Sequence, residues 1–177
     1  MSGISVIALH PTTPAQQGFL LGTLTRPDAG LFIEQTVFPL TGPLDTDRMR
    51  RTLAGWTADH EILRTGFAWD LASDPRQAVL SGADLPLDVI DCSGKPPEEQ
   101  HAALELVLQS QRAVPFNLYR PPLLRIAVIR LSATRHRLVW THHHVLLDGW
   151  AHLLLVADLL ERYNTGTRAE APSFGRY

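Results

Sequence analysis

The chain has 177 residues, of which 45% are hydrophobic and 19% charged, and its formal net charge is −2. That length suits one domain or one lobe of a larger one, and it can bury a core without disulfide or metal. The charge balance gives no broad basic field for nucleic acid, and a lone cysteine, Cys92, excludes an intrachain disulfide and fits a reducing cytoplasm. The opening "MSGISVIALHP" lacks the basic start and long apolar run of a signal peptide and reads as a natural N-terminus. The most apolar helical stretch is interrupted by His152 and Asp158 and is too short to span a bilayer, so no membrane association is expected.

In chain order, "FIEQTVFPL" (32–40) is rich in β-branched and aromatic residues and predicts a strand. Met49, Leu53 and Trp56 then recur at helical spacing between Asp45 and His60, with Arg48, Arg50 and Arg51 on a solvated face. "ILRTGFAWDL" predicts a strand with Leu63, Thr65, Phe67 and Trp69 on one face and Arg64, Gly66 and Ala68 on the other. "SDPRQ" reads as a turn and "AVL" as a short returning strand. "LPLDVIDCS" is another strand, closed by Cys92 as a small residue. "GKPPEEQ" opens a helix whose prolines sit in the tolerated first turn, with Glu98 and Glu99 at the positive end of its dipole. Residues 123–132 and 135–144 predict an antiparallel hairpin, and a helix from Asp148 to Tyr163 is apolar around most of its circumference, which predicts substantial burial. Strands with intervening helices give a layered α/β or α+β domain.

The stretch "HHHVLLDGW" (142–150) carries the chemistry. If the strand runs to His144, then Leu138, Trp140, His142 and His144 share one face, and Val139, Thr141 and His143 the other. Three roles are open. A zinc ion needs three or four converging ligands, and no spaced partner set for it is visible. A buried imidazole needs hydrogen-bond partners or loses about 1–3 kcal/mol. A neutral imidazole at a strand end can take a proton from an amine or hydroxyl near neutral pH. Asp148 can cap the helix that follows, and Gly149 allows close backbone approach. No nucleophile elbow and no glycine-rich phosphate loop is present.

"HHVLLDG" (143–149) resembles the HHxxxDG signature of nonribosomal peptide synthetase condensation domains, members of the chloramphenicol-acetyltransferase-like superfamily. Three more segments agree in order: "LHPTTPAQQGFLLGTL" (9–24) is similar to the family's opening motif, "DHEILRTGF" (59–67) to RHExLRTxF, and "PFNLYRPPLLRIAVIRL" (115–131) to PFDLxxxPLxR. The resemblance implies one α/β lobe of a two-lobed V, with a mixed, mostly antiparallel sheet and helices packed on it. Residues 1–166 are then the N-terminal lobe, and 167–177 an inter-lobe linker or truncated end.

What the resemblance implies for function is amide formation between a donor acyl or peptidyl thioester and an acceptor aminoacyl thioester. Both are carried on phosphopantetheine arms of carrier proteins, and no cofactor or metal is bound directly. His144 would serve the attacking amine as base or positioning group, with His143 supporting the loop, Asp148 held by an arginine and Gly149 keeping the turn close. Arg64 is the expected partner of Asp148. Asp59 stands where the family has an arginine, which removes any salt bridge built on that cation. The expected partners are the two carrier proteins and a C-terminal lobe. The lobe-facing surface should be apolar and able to drive dimerisation, and the lobe alone should be nearly inactive. Two other readings share the pattern: a non-catalytic docking module that recruits partner proteins, and an acyltransferase using free coenzyme A thioesters.

Overall fold

In the computed structural model, which describes residues 4–69 and 74–167, the chain runs β1 (Val6–Pro11), α1 (Pro14–Thr25), β2 (Ile33–Thr41), α2 (Thr46–Asp59), β3 (Thr65–Ala68), β4 (Arg76–Leu80), β5 (Leu87–Asp91), α3 (Pro97–Ala113), β6 (Leu124–Arg130), β7 (Arg135–His143) and α4 (Gly149–Thr165). The four helices start on recognisable chemistry. Thr13 and Gln16 form a capping box at α1. Asp45 caps α2 and Asp148 caps α4, each through side-chain oxygen accepting two backbone N–H groups. Pro97 opens α3, where its missing N–H is no loss. Gly166, at φ 76°, ends α4 in the left-handed region.

The main sheet has the order β2-β7-β6-β5, with β2, β7 and β6 antiparallel and β5 parallel to β6. A three-stranded antiparallel sheet, β1-β4-β3, stands beside it. The larger core holds Trp56, Leu53 and Met49 of α2, Leu155 and Leu159 of α4, and Leu138 and Trp140 of β7. On the other face of the main sheet, Ala127, Ile129, Val139 and Cys92 pack under Leu104, Val107 and Leu108 of α3. Each fully buried large side chain contributes about 1.5–3 kcal/mol of transfer free energy. This is a layered α/β arrangement with a mixed, mostly antiparallel main sheet and helices packed on it, as the resemblance implies.

Three expectations need correction. Among the described residues of the predicted strand over 62–71, only Thr65–Ala68 is a strand and Glu61–Arg64 forms a 3-10 turn; Asp70 and Leu71 lie outside the described residues. The Arg64 guanidinium there turns back onto the end of α2 rather than facing outward. The segment Val6–Pro11 is a strand that periodicity did not mark; it finds its partner in β4. Finally, α4 is not buried all round: His152, Leu155, Val156 and Leu159 face the core, whereas Trp150, Leu153 and Leu154 are 77%, 51% and 67% exposed. Residues 168–177 of the expected linker, and Ser73 of the expected turn, lie outside the described residues. No helix among the described residues is long and apolar enough to cross a membrane.

Candidate active site

The β2–β7 register decides which residues meet. Ile33 lies opposite His143, Glu34 opposite His142 and Gln35 opposite Thr141. Side chains alternate across the sheet, so Glu34, His142 and His144 share one face and His143 takes the other. The alternation inferred from sequence is therefore met, although β7 formally ends at His143; the next backbone N–H, of His144, still bonds the Phe32 carbonyl at 2.8 Å.

The three histidines have three different environments. His142 is fully buried, and its Nδ1 accepts the indole N–H of Trp140 at 3.2 Å. Its proton consequently sits on Nε2, which points at Glu34 Oε2, 3.5 Å away. Burial first, and then the neighbouring imidazoles of His152, His144 and His143, push its pKa down to about 3.

His143 is also buried, and its pKa is lowered to about 4 by burial and then by His144. Its Nδ1 accepts the backbone N–H of Val145 at 3.1 Å, which leaves the proton on Nε2 to be donated to Thr23 Oγ1 at 3.0 Å. The Thr23 hydroxyl in turn donates to the Phe19 carbonyl at 2.9 Å. Both ring nitrogens are used. His143 is a neutral tie between α1 and the end of β7.

His144 differs from both. Its side chain is 28% exposed, and Nδ1 lies 3.3 Å from Glu34 Oε1. That Nδ1 is itself buried, so the accessible part of the ring is elsewhere. The Phe19 ring packs edge-on against it with centroids 4.7 Å apart. Gln16 of α1 donates to the Val145 carbonyl at 3.3 Å and holds the loop that follows.

The described residues contain one grouping with metal-ligand spacing: ligand atoms of Glu34, His142 and His144 lie within 4.8 Å of one another. The hydrogen bonding does not suit an ion. A metal-bound imidazole donates its other N–H to an acceptor. Here the other nitrogen of His142 faces the indole N–H of Trp140, and a metal on Nε2 would set two donors against each other.

The remaining sequence-predicted residues fall away from that face. Asp148 is exposed, and its Oδ1 accepts from Trp150 N at 3.1 Å and Ala151 N at 2.8 Å, which makes it the cap of α4. The expected Asp148–Arg64 pair does not form. Arg64 is buried and donates to the backbone carbonyls of Thr57 at 3.1 Å, Ala58 at 3.2 Å and Leu80. A guanidinium that satisfies three buried carbonyls has no reach left for a distant acid. Gly149 opens α4, and a Cβ there would meet nothing within 4 Å, so the turn itself does not require glycine.

Sequence reasoning missed Glu34, Phe19 and Gln16, because only strand register and helix packing bring them to His144. It also missed the cation that answers Asp59. Arg162 of α4 meets Asp59 at 2.6 Å and Asp158 at 2.8 Å, and His60 meets Asp158 at 2.7 Å.

The chain's sequence and fold have counterparts among known proteins. Residues 7–177 match the family model described as condensation domain. The chain is 35% identical over 167 residues to one of the linear gramicidin synthase proteins of Brevibacillus parabrevis, a match that covers 93% of the chain and 2% of that protein. It is 28% identical over 170 residues to bacitracin synthase 1 of Bacillus licheniformis, covering 96% of the chain and 3% of that protein. Among solved structures, the first condensation domain of the CDA synthetase superposes with a TM-score of 0.81 at 25% identity, covering 97% of the chain and 43% of that chain. The starter condensation domain of rhizomide synthetase gives a TM-score of 0.78 at 20% identity and covers 93% of the chain and 42% of its own. The chain thus spans a few per cent of the length of the curated relatives it matches, and less than half of the solved chains.

Proposed function

The chain belongs to the condensation-domain family, and from that premise we propose that it is the N-terminal lobe of a domain that makes amide bonds in nonribosomal peptide biosynthesis. The acceptor amine attacks the donor thioester carbonyl, the C–N bond forms as the C–S bond breaks, and the amine proton passes to the leaving thiolate. His144 serves the amine. The donor and acceptor ride on phosphopantetheine arms of carrier proteins, and this chain binds no cofactor of its own.

One observation carries the assignment: of the three motif-region histidines, His144 alone keeps part of its ring accessible while Nδ1 is buried against a carboxylate. His142 and His143 are sealed and neutral. A group that meets an incoming amine needs both an open edge and a fixed orientation.

The complement to this lobe is read from the apolar side chains left in water. Leu21 on α1 is 66% exposed, and Trp150, Leu153 and Leu154 on α4 are uncovered as well. Large exposed apolar residues on the two helices that flank the histidines suit a second lobe closing over them. Alone, the chain lacks half of the binding surface and is proposed to be nearly inactive, with self-association through these residues at high concentration.

An acid at position 59, where the family has an arginine, speaks mildly for the non-catalytic docking alternative. That support weakens, because Arg162 supplies the missing cation from a different helix. The test is amide formation between two loaded carrier proteins, followed by mass spectrometry. A protein carrying this chain together with its second lobe is expected to turn over and to lose activity on His144→Ala. The isolated chain is expected to give almost no product. No turnover by the two-lobed protein, with His144 intact or replaced, would return the docking module to first place, and turnover unchanged by His144→Ala would overturn the role given to His144.

A further inference from the structure

We propose that Glu34 is a positioning residue for His144: its carboxylate accepts the Nδ1–H of the ring, fixes that tautomer and leaves Nε2 as the acceptor that meets the amine. This rests on the reading of His144 given above and extends it to a residue outside the HHxxxDG motif.

The placement is imposed by the sheet. Glu34 stands directly across from His142 and diagonal to His144 on the same face, where cross-strand side chains reach one another. Its two oxygens are divided between the rings, Oε1 at 3.3 Å from His144 Nδ1 and Oε2 at 3.5 Å from His142 Nε2. Those two nitrogens are buried, and no hydrogen bond of ordinary geometry reaches either of them. A buried polar atom left unmade costs about 1–3 kcal/mol, so both rings gain by donating to the carboxylate. A carboxylate has lone pairs for both.

His142 is what keeps the arrangement directional. Trp140 donates to its Nδ1, so its Nε2 can only donate, and the Glu34 carboxylate is the acid facing it at 3.5 Å. Because burial keeps His142 neutral, it holds Glu34 in place without competing for its charge. His152 is the other titratable group on this face. Its ring centroid is 5.0 Å from that of His142, and burial lowers its pKa despite the attraction of Glu34. The Phe19 ring packs edge-on against that of His144, with centroids 4.7 Å apart. At 3.3 and 3.5 Å the Glu34 contacts are longer than the usual 2.7–3.2 Å, so the carboxylate lies within reach of both rings without being tightly bonded to either.

The first measurement needs no variant. Long-range 1H–15N correlation of the histidine rings in this chain, above pH 8, is expected to show His144 as the Nδ1–H tautomer and His142 as Nε2–H. Finding His144 as Nε2–H overturns the proposal. Glu34→Gln and Glu34→Ala are then expected to mix the His144 tautomers while leaving His143 unchanged. In the protein that also carries the second lobe, both variants are expected to lower kcat on the order of 10- to 100-fold. KM for the acceptor carrier should stay within about twofold, with partial rescue by Glu34→Asp. Unchanged tautomer and unchanged kcat in Glu34→Ala, alongside an inactive His144→Ala, sinks the Glu34 proposal alone. An active His144→Ala with the tautomer shift intact sinks the His144 reading instead and leaves the Glu34 contact standing.

Discussion

Asp59 at the end of α2 and Arg162 on α4 are joined at 2.6 Å, so the acid that departs from the family motif is neutralised by a cation far along the chain. Arg162 is nearly buried and also holds Asp158 at 2.8 Å. Burial alone would raise the Asp158 carboxyl, but the hydrogen bonds from His60 and Arg162 outweigh it and hold it below the usual carboxylate range. Restoring the motif residue is therefore harmful here. Asp59→Ala is expected to lower stability by about 1–3 kcal/mol, the worth of a hydrogen bond to a charged group. Asp59→Arg, which sets two cations together, should cost more, and urea midpoints rank the variants. A midpoint for Asp59→Arg equal to or above that of the parent chain contradicts the network.

Acid sensitivity should appear well above the carboxylate range. Unfolded, the imidazoles of His142 and His143 take up protons below about pH 6.5. Folded, they do so only near 3 and 4. Between those limits the unfolded chain binds more protons, so stability is complete above about pH 6.5 and falls as the pH drops through the window. At pH 5 the loss is on the order of 2 kcal/mol for each imidazole. Urea unfolding at pH 7.5 and pH 5.0 measures it; a flat profile between the two contradicts the neutral, buried assignment.

Arg64 is a staple of the fold rather than part of the site. Its guanidinium ties the carbonyls of Thr57 and Ala58 at the end of α2 to that of Leu80 in β4. Arg64→Lys keeps the charge but loses the fork, and should destabilise by about 2–4 kcal/mol through unsatisfied carbonyls. Asp148→Asn, by contrast, keeps a capping oxygen and should change stability by less than about 1 kcal/mol. Equal and non-additive losses in the Arg64 and Asp148 variants and their double mutant would revive a pair between them.

Two glycines should respond in opposite ways. At Gly66 a Cβ would lie 2.5 Å from the Tyr119 carbonyl oxygen and 2.9 Å from its carbon, both backbone atoms. Gly66→Ala is expected to cost about 1–3 kcal/mol by overpacking. At Gly149 a Cβ meets open space, so Gly149→Ala should leave the urea midpoint unchanged. If the same variant slows amide formation in the two-lobed protein, the space over Gly149 belongs to a substrate arm; if turnover is unaffected, the glycine has no part in the reaction.

What the sequence determined was local. Helical spacing located α2, prolines and acids the start of α3, and the capping Asp148 the start of α4, and alternation assigned His142 and His144 to one face and His143 to the other, because these depend on neighbours a few residues away. Four short motif-like segments in the right order, HHxxxDG among them, pointed to the family on the same local basis. Tertiary structure alone decided which face of α4 stays uncovered, that Arg64 bonds carbonyls instead of Asp148, and that Glu34 sits across from His142. Each of those depends on how distant segments pair and pack, and a hydrogen bond or a register that joins residues far apart in the chain leaves no trace in the periodicity of either one.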